Sequence, residues 1–168
     1  MPPRQSVRCI GHTKAGRRCS RNTLRANECW QHLQSDKGLR IKESQIEGSG
    51  LGLYTTKPRR NNRKVAFYGE NAYVRHGEHG GDYVFQGIMH PPTYVNPHRT
   101  TDSPGRFANS AKPGDGFSNN SRLTFNTRTH KANITANRNF ARNATPRHPV
   151  EVFASYGANA RREYWDQQ

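Results

Sequence analysis

Short apolar clusters, divided by glycine, proline and asparagine, dominate the chain after residue 38. No segment there longer than about ten residues keeps the apolar repeat of 3.6 residues that an amphipathic helix needs. The clusters are Leu39–Ile41, Leu51–Tyr54, Val65–Phe67, Tyr83–Phe85, Tyr94–Val95, Leu123–Phe125, Ile134 and Val150–Phe153. This pattern predicts a mostly β domain of many short strands with long connections, ended by one short helix over Asn159–Trp165.

Composition taken alone favours a different class, the disordered basic protein. Leu, Ile, Val and Phe make up only 25 of the 168 residues, and the net charge is +15, a combination typical of disorder. Aromatic residues nevertheless reach 10%, and the glycines are clustered instead of spread as in a linker. We therefore expect a folded chain with a thin core that depends on aromatic side chains.

Membrane and secretory classes are excluded at the level of sequence. The longest apolar runs have about four residues, far from the roughly 20 that span a bilayer. The start of the chain, Met1-Pro2-Pro3-Arg4, lacks the apolar region of a secretory signal. The three cysteines are an odd count and all precede residue 30, so reduced thiols or metal ligands in an intracellular compartment are favoured over a disulfide framework.

The cysteines and one histidine have the spacing of a metal site. The ligand set Cys9, Cys19, Cys29 and His32 matches a closed tetrahedral Cys3His zinc site, with Cys29 and His32 on one tight turn. Free thiols are the alternative, and a catalytic thiol is disfavoured because no base is evident. The segment resembles a small zinc-binding module found beside varied catalytic domains. Its basic residues fit either nucleic-acid contact or a solvated face.

We divide the chain into a zinc-binding module with its linker, residues 1–37, and a second domain, residues 38–168. The polar stretch Gln34–Gly38 is the predicted linker. A segment as short as the module cannot bury a core of its own, so zinc would supply its folding free energy.

The second domain contains a glycine turn, Gly48-Ser49-Gly50-Leu51-Gly52, that allows close backbone approach to a ligand. A phosphate cradle is disfavoured because neither a βαβ unit nor a Lys-Ser/Thr pair accompanies the turn. Further motifs follow in order: Phe67–Glu70, Asp82–Phe85, Gly105–Ser110, Asn119–Asn120, Glu151–Gly157 and Tyr164–Trp165. In this order the series resembles the SET-domain protein lysine methyltransferases, over about residues 38–165.

The resemblance implies a fold of several small sheets with a pseudoknot-like threading, in which the segment ending at Ser110 packs with the one ending at Tyr156. It also implies that the chain uses S-adenosylmethionine. The residues assigned to this cofactor are Ser49, Gly50, Leu51, Gly52, Tyr83, Asn109, Ser110 and Trp165. Tyr156 matches the active-site tyrosine, and the lysine channel would be lined by Phe67 or Tyr68 and by Ala154.

The chain departs from the family pattern at three places. Ser110 stands where the family commonly has histidine, which puts cofactor affinity in question. The cysteine cluster that follows the final tyrosine in many histone-directed relatives is missing, so Tyr164 and Trp165 would form the lid alone. Ala154 stands where a larger aromatic often limits methylation, which predicts more than one methyl transfer.

The predicted function is methyl transfer from S-adenosylmethionine to a protein lysine, most simply of a histone, in the nucleus. The alternative is a catalytically weak SET-like module that binds nucleic acid or a protein partner. Basic runs at residues 57–64 and 116–150 predict contact with nucleosomal DNA, with solvated loops as the simpler interpretation.

Overall fold

The computed structural model describes residues 6–72, 85–86, 94–95, 103–126, 128–129 and 131–155. These ranges hold short strands, one α-helix and one 3-10 helix. The elements in chain order are β1 (Val7–Arg8), β2 (Asn22–Thr23), α1 (Trp30–Lys37), β3 (Leu39–Glu43), β4 (Leu51–Thr55), β5 (Lys64–Ala72), β6 (Phe85–Gln86), β7 (Tyr94–Val95), the 3-10 helix (Pro104–Phe107), β8 (Ser121–Asn126), β9 (Lys131–Ala136), β10 (Val150–Glu151) and β11 (Ala154–Ser155).

The strands form three small sheets. The first pairs β1 with β2, the second has the order β10-β4-β3, and the third has the order β11-β8-β9-β5-β7-β6. All pairings are antiparallel except that of β11 with β8. The prediction of a mostly β fold of several small sheets is confirmed.

The β3–β4 hairpin carries the glycine turn. Its register runs from Leu39 opposite Thr55 to Glu43 opposite Leu51, so residues 44–50 form the connection. β4 is buried along nearly its whole length because β3 flanks it on one side and β10 on the other. The hairpin therefore holds the turn on a central strand.

Small side chains contribute an unusually large share of the core. Six of the fourteen buried residues in the main cluster of the described part are alanines. In β9, Ala132, Ile134 and Ala136 alternate with more exposed residues, as the two-residue period of a strand requires. Gly105 packs against the carbonyl of Phe67, where a Cβ would collide with backbone. Close backbone packing thus explains how a chain poor in leucine and valine forms a defined core.

The chain after β10 runs between two other segments. The backbone N–H of Ala154 donates to the carbonyl of Asn109 at 2.9 Å, and the carbonyl of Phe153 accepts from Asn120 and Ser121 at 3.0 Å. The segment that leads to Tyr156 therefore packs with the one that ends at Ser110, as the threaded arrangement implies.

One prediction was wrong. The stretch Gln34–Gly38, predicted as a linker, is the second half of α1 and its cap. Gly38 ends the helix in the left-handed region at φ 64°, and its N–H donates to the carbonyl of Gln34. The polar composition misled because this short helix buries only Leu33. The predicted helix over Asn159–Trp165 lies outside the described residues.

Candidate functional site

The four predicted metal ligands converge. The ligand atoms of Cys9, Cys19, Cys29 and His32 all lie within 4.8 Å of one another, and the three cysteines are buried. His32 Nδ1 lies 3.4 Å from the sulfur of Cys9 and 3.4 Å from that of Cys29. Zinc bond lengths of about 2.3 Å to sulfur and 2.0 Å to nitrogen separate tetrahedral ligands by roughly 3.6 Å. The donor set and spacing therefore fit a structural zinc ion.

The surroundings orient these ligands. His32 Nε2 lies 2.9 Å from the carbonyl oxygen of His12, which favours a proton on Nε2 and leaves Nδ1 free to face the sulfurs. Backbone N–H groups of Gly11 and Cys29 donate to the sulfur of Cys9 at 3.4 and 3.1 Å. Gly11 packs against the His32 ring so closely that a Cβ would overlap it.

The thiol of Cys29 is the more acidic of the two that contact His32. Burial raises the pKa of Cys29, but hydrogen bonds from the His32 backbone and ring outweigh it and lower the pKa to about 7. Burial raises the pKa of Cys9 above its usual value. A thiolate next to a neutral imidazole is the state that binds zinc.

The cysteine segment packs onto the rest of the chain. Ala26 and Leu33 belong to the same buried cluster as Leu39 and Leu53. Arg106 is only 4% exposed, and its guanidinium donates to the carbonyls of Ser103 at 3.1 Å and Arg25 at 2.7 Å. The segment therefore shares a core with the rest of the described chain.

Arg59 also bridges the two parts. Its guanidinium donates to the carbonyls of Lys37 and Gly38 at 2.9 and 3.0 Å and to the hydroxyl of Thr55 at 2.7 Å. Burial lowers the pKa of Arg59 to about 10, so it stays charged at neutral pH. Arg59 caps the carboxyl end of α1, which makes it unavailable to the DNA contact predicted for residues 57–64.

The glycine turn is open on its outer side. Gly48 and Gly50 have φ of 76° and 68°, and nothing lies within 4 Å of a Cβ built on either. The N–H of Ser49 donates to the carbonyl of Ile46, and that of Ser44 to the carbonyl of Gly50. Ser49 and Gly50 are exposed, and Leu51 is half-buried. The turn thus has the exposure that a backbone-binding ligand requires.

Asn109 lies beside this turn. Its Nδ2 donates to the carbonyl of Leu51 at 3.1 Å, although 58 positions separate the two residues. Ser110 follows, half-buried, and the N–H of Ala111 donates to the side chain of Asn119 at 2.9 Å. The structure therefore brings together three predicted cofactor residues, Leu51, Asn109 and Ser110.

The buried carboxylate of Glu151 holds the start of the β3–β4 connection by hydrogen bonds. No role was predicted for this residue from the sequence. The residue is 1% exposed. Its oxygens accept from the hydroxyl of Ser44 at 2.6 Å, the N–H of Gln45 at 2.7 Å and the hydroxyl of Tyr54 at 3.0 Å. Burial, and next the charge of Glu151, raise the pKa of Tyr54 above its usual value.

Gly52 makes room for this carboxylate. A Cβ at Gly52 would overlap Glu151 Oε1. The need for glycine at position 52 is therefore structural, whatever contact its backbone makes with a cofactor. The sequence contains one indication that Glu151 has a role beside Gly52, namely its position in the Glu151–Gly157 motif.

The remaining predicted positions divide into described and undescribed residues. Tyr68 is 1% exposed and lies in the core, and Ala154 is fully buried, whereas Phe67 keeps some exposed surface beneath the ammonium of Lys64 at 5.3 Å. Tyr83, Tyr156 and Trp165 lie outside the described residues.

Comparison with known proteins gives structural matches only. Neither a family model nor a curated protein matches the sequence. The methyltransferase domain of human PR domain-containing protein 2 is 15% identical, with a TM-score of 0.52, over 76% of this chain and 84% of its own. A chain of ctPRC2, from a complex with histone peptide, is 18% identical, with a TM-score of 0.52, over 73% of this chain and 15% of its own. The SET domain of the RIZ1 tumor suppressor is 17% identical, with a TM-score of 0.47, over 78% and 80% of the two chains.

The two matches with a TM-score of 0.52 define the class of the fold. The described strands form the SET-domain arrangement, and the predicted SET-domain fold is confirmed. Among the described residues, no helix has the length and apolar character needed to cross a membrane.

Proposed function

We propose that this chain is an S-adenosylmethionine-dependent protein lysine methyltransferase that acts on a histone in the nucleus. The observation that carries the proposal is the hydrogen bond from Asn109 Nδ2 to the carbonyl of Leu51, 3.1 Å long. It joins the open glycine turn to the Asn109–Ser110 motif within a SET-domain fold. Both structures matched above with a TM-score of 0.52 have names that indicate methyltransferase or histone association, which supports this class.

The cofactor site would be formed mainly by backbone. Backbone groups of the exposed Ser49 and Gly50 and of the half-buried Leu51 would bind the cofactor, with Asn109 and Ser110 beside them. Tyr83 and Trp165 complete this proposed set. When bound, S-adenosylmethionine would supply an electrophilic methyl group on its sulfonium.

The lysine amine must be neutral and correctly oriented. An exposed lysine has a pKa of about 10.4, and desolvation in a channel lined by Phe67 or Tyr68 would lower that pKa. The hydroxyl of Tyr156 would hydrogen-bond the amine and orient its lone pair toward the methyl. Positioning of this kind supplies much of the rate of an in-line displacement.

Ala154 sets the proposed number of methyl groups. Its side chain is small and fully buried, and it precedes Tyr156 by two residues. We expect products beyond monomethyl-lysine, and mass spectrometry of a saturating reaction tests this. Monomethyl product alone, with Ala154 intact, would contradict it.

The Cys3His cluster is proposed to hold a structural zinc ion, in a module of residues 1–37 that supports a catalytic domain of residues 38–168. The compact ligand set and its hydrogen-bonded histidine support zinc. Closed four-ligand sites of this type are structural because no position is left for water or substrate.

The exposed basic residues support contact with nucleosomal DNA. Arg60, Arg63 and Arg138 are exposed, whereas Arg59 is committed to α1. Methylation of nucleosomes should fall steeply as salt rises, while methylation of a free histone peptide should not. Equal salt dependence would reject the DNA contact.

Calorimetry with S-adenosylmethionine, followed by a methyl-transfer assay on histones, tests the function. We expect saturable cofactor binding in the wild-type chain and in Tyr156→Phe, with transfer lost only in the variant. A folded wild-type chain that binds no cofactor would favour the alternative, a SET-like module that binds nucleic acid or protein. Serine at position 110, where the family commonly has histidine, is the feature that supports this alternative.

A further inference from the structure

An exposed tryptophan lies at the end of the cysteine segment, one helix before β3. Trp30 is the first residue of α1, and 56% of its surface is exposed. Tryptophan is rarely left this exposed without a partner, because its ring offers a large apolar area. Neither the proposed zinc site nor the proposed methyl transfer uses this ring.

Two guanidinium groups approach the ring from different parts of the chain. The guanidinium of Arg21 lies 5.9 Å from the ring centroid, and that of Arg40 lies 5.6 Å from it. Arg40 Nη1 donates to the carbonyl of Pro146 at 2.9 Å, and the next residue, Arg147, is exposed. Within the described part of the chain, neither Arg21 nor Arg40 pairs with a carboxylate.

Other arginines nearby are committed to structure. Arg8 donates to the carbonyl of Cys19 at 2.9 Å, and Arg18 donates to the carbonyl of Cys9 at 3.1 Å. Arg106 and Arg59 are likewise engaged with backbone carbonyls. Several arginines around the cysteine segment, Arg40 among them, are thus hydrogen-bonded to the backbone, whereas Arg21 lies beside an exposed aromatic ring. Lys14, Arg17 and Arg25 of the same segment are exposed as well.

We infer that Trp30, Arg21 and Arg40 form a binding surface for single-stranded nucleic acid. Both guanidiniums lie over the indole ring, where they make cation–π contacts. A base that stacks on the exposed part of the ring would lie next to them, and they can then bind the phosphates that flank that base. An acidic peptide would satisfy the charges but would leave the ring without a planar partner. This surface does not depend on methyl transfer.

Fluorescence of Trp30 tests the inference directly. The chain has two tryptophans, so full-length, zinc-loaded Trp165→Phe reports on Trp30 alone. We expect oligo(dT) to bind and quench this fluorescence, while heparin, a polyanion without bases, binds without quenching. Equal quenching by heparin, or tighter binding of the matching duplex, would overturn the stacking role.

Paired variants locate the site. Arg21→Gln/Arg40→Gln should weaken oligo(dT) binding and lower the salt slope by about 1.4, since each single-strand phosphate contact contributes about 0.7. Arg60→Gln/Arg63→Gln removes the same charge from two exposed positions and should leave the quenching intact. A larger loss in this control would place the site on the other basic run and overturn the inference.

Two substitutions of Trp30 test the stacking role of its ring. Trp30→Ala should weaken binding about 5- to 150-fold, the range of one base stack, and Trp30→Phe should restore most of it. Thermal melting and zinc content verify that both variants are folded. Unchanged affinity in folded Trp30→Ala would contradict the inference.

Discussion

The metal cluster and the glycine-turn site are assembled from different parts of the chain. The cluster takes all its side chains from one segment, Cys9 to His32, and the ligand atoms themselves converge. The glycine-turn site takes Leu51, Asn109 and Glu151 from three distant segments, joined by hydrogen bonds to backbone and by one buried carboxylate. The metal cluster is therefore defined by the type and spacing of its side chains. The glycine-turn site is defined by the way that distant segments of the chain pack against each other.

The two sites are nevertheless joined through one core. Arg106 reaches from the 3-10 helix before Asn109 to the carbonyl of Arg25, and Arg59 reaches from the end of β4 to the end of α1. Arg106 is buried and Arg59 is half-buried, and the hydrogen bonds described above join both cations to neutral oxygens. Perturbation of one site should therefore reach the other, to a degree that depends on which contact is lost.

The largest effect is expected from loss of the metal. Cys29→Ser should abolish zinc binding and unfold residues 6–37, because a structural zinc site contributes about 10–16 kcal/mol to the folding of its segment. The rest of the chain should also lose at least about 10 °C in melting temperature, since Ala26 and Leu33 are part of the main core. Metal analysis and circular dichroism measure both.

His12 supplies the matched control for this variant. It contacts His32 through its backbone carbonyl, so His12→Ala should keep zinc and stability. A Cys29→Ser chain that melts like wild type would show that the cluster is dispensable.

The next effect concerns the glycine-turn site. Glu151→Ala should cost about 3 kcal/mol in unfolding free energy, because it leaves the N–H of Gln45 and the hydroxyl of Ser44 without their acceptor. The hydroxyl of Tyr54 keeps the carbonyl of Glu43 as an acceptor at 2.8 Å. Urea denaturation measures this cost. Gly52→Ala should cost about 1–3 kcal/mol through overlap with Glu151 Oε1.

The double variant Gly52→Ala/Glu151→Ala separates the two causes. Because the shorter side chain at position 151 removes the overlap, the combined cost should fall below the sum by about 1 kcal/mol. Strict additivity would show that Gly52 is required for another reason.

Much of the fold followed from the sequence, and the reasons differ by element. The strands β3, β4, β5, β8 and β9 each coincide with a predicted apolar cluster, and the metal ligands followed from spacing alone. The helix α1 was missed because Gln34–Lys37 is polar and gains its stability from capping by Gly38 and Arg59. The contact of Asn109 with Leu51 depends on chain threading, which no local pattern encodes.

A smaller effect is expected at the bridge between the two regions. Arg106→Met should cost about 2 kcal/mol, since the carbonyls of Ser103 and Arg25 lose a charged donor. Hydrogen exchange should increase around Arg25 and around Asn109 together. Faster exchange in only one of the two regions would show that Arg106 does not couple them.

The smallest effect is expected from restoring the family residue at position 110. Ser110→His should tighten binding of S-adenosylmethionine by about threefold, the effect of roughly one modest hydrogen bond, without change in zinc content. Calorimetry measures the dissociation constant. Weaker binding would show that the neighbouring residues have adapted to serine.

The central claim is that the open glycine turn and the Asn109 segment form one cofactor site. Two-dimensional amide NMR of the zinc-loaded chain during titration with S-adenosylmethionine tests it most directly. We predict saturable shifts concentrated at residues 49–52 and 108–111, which are lost in Asn109→Ala. A folded chain whose amides do not respond there, or respond only elsewhere, would contradict the claim.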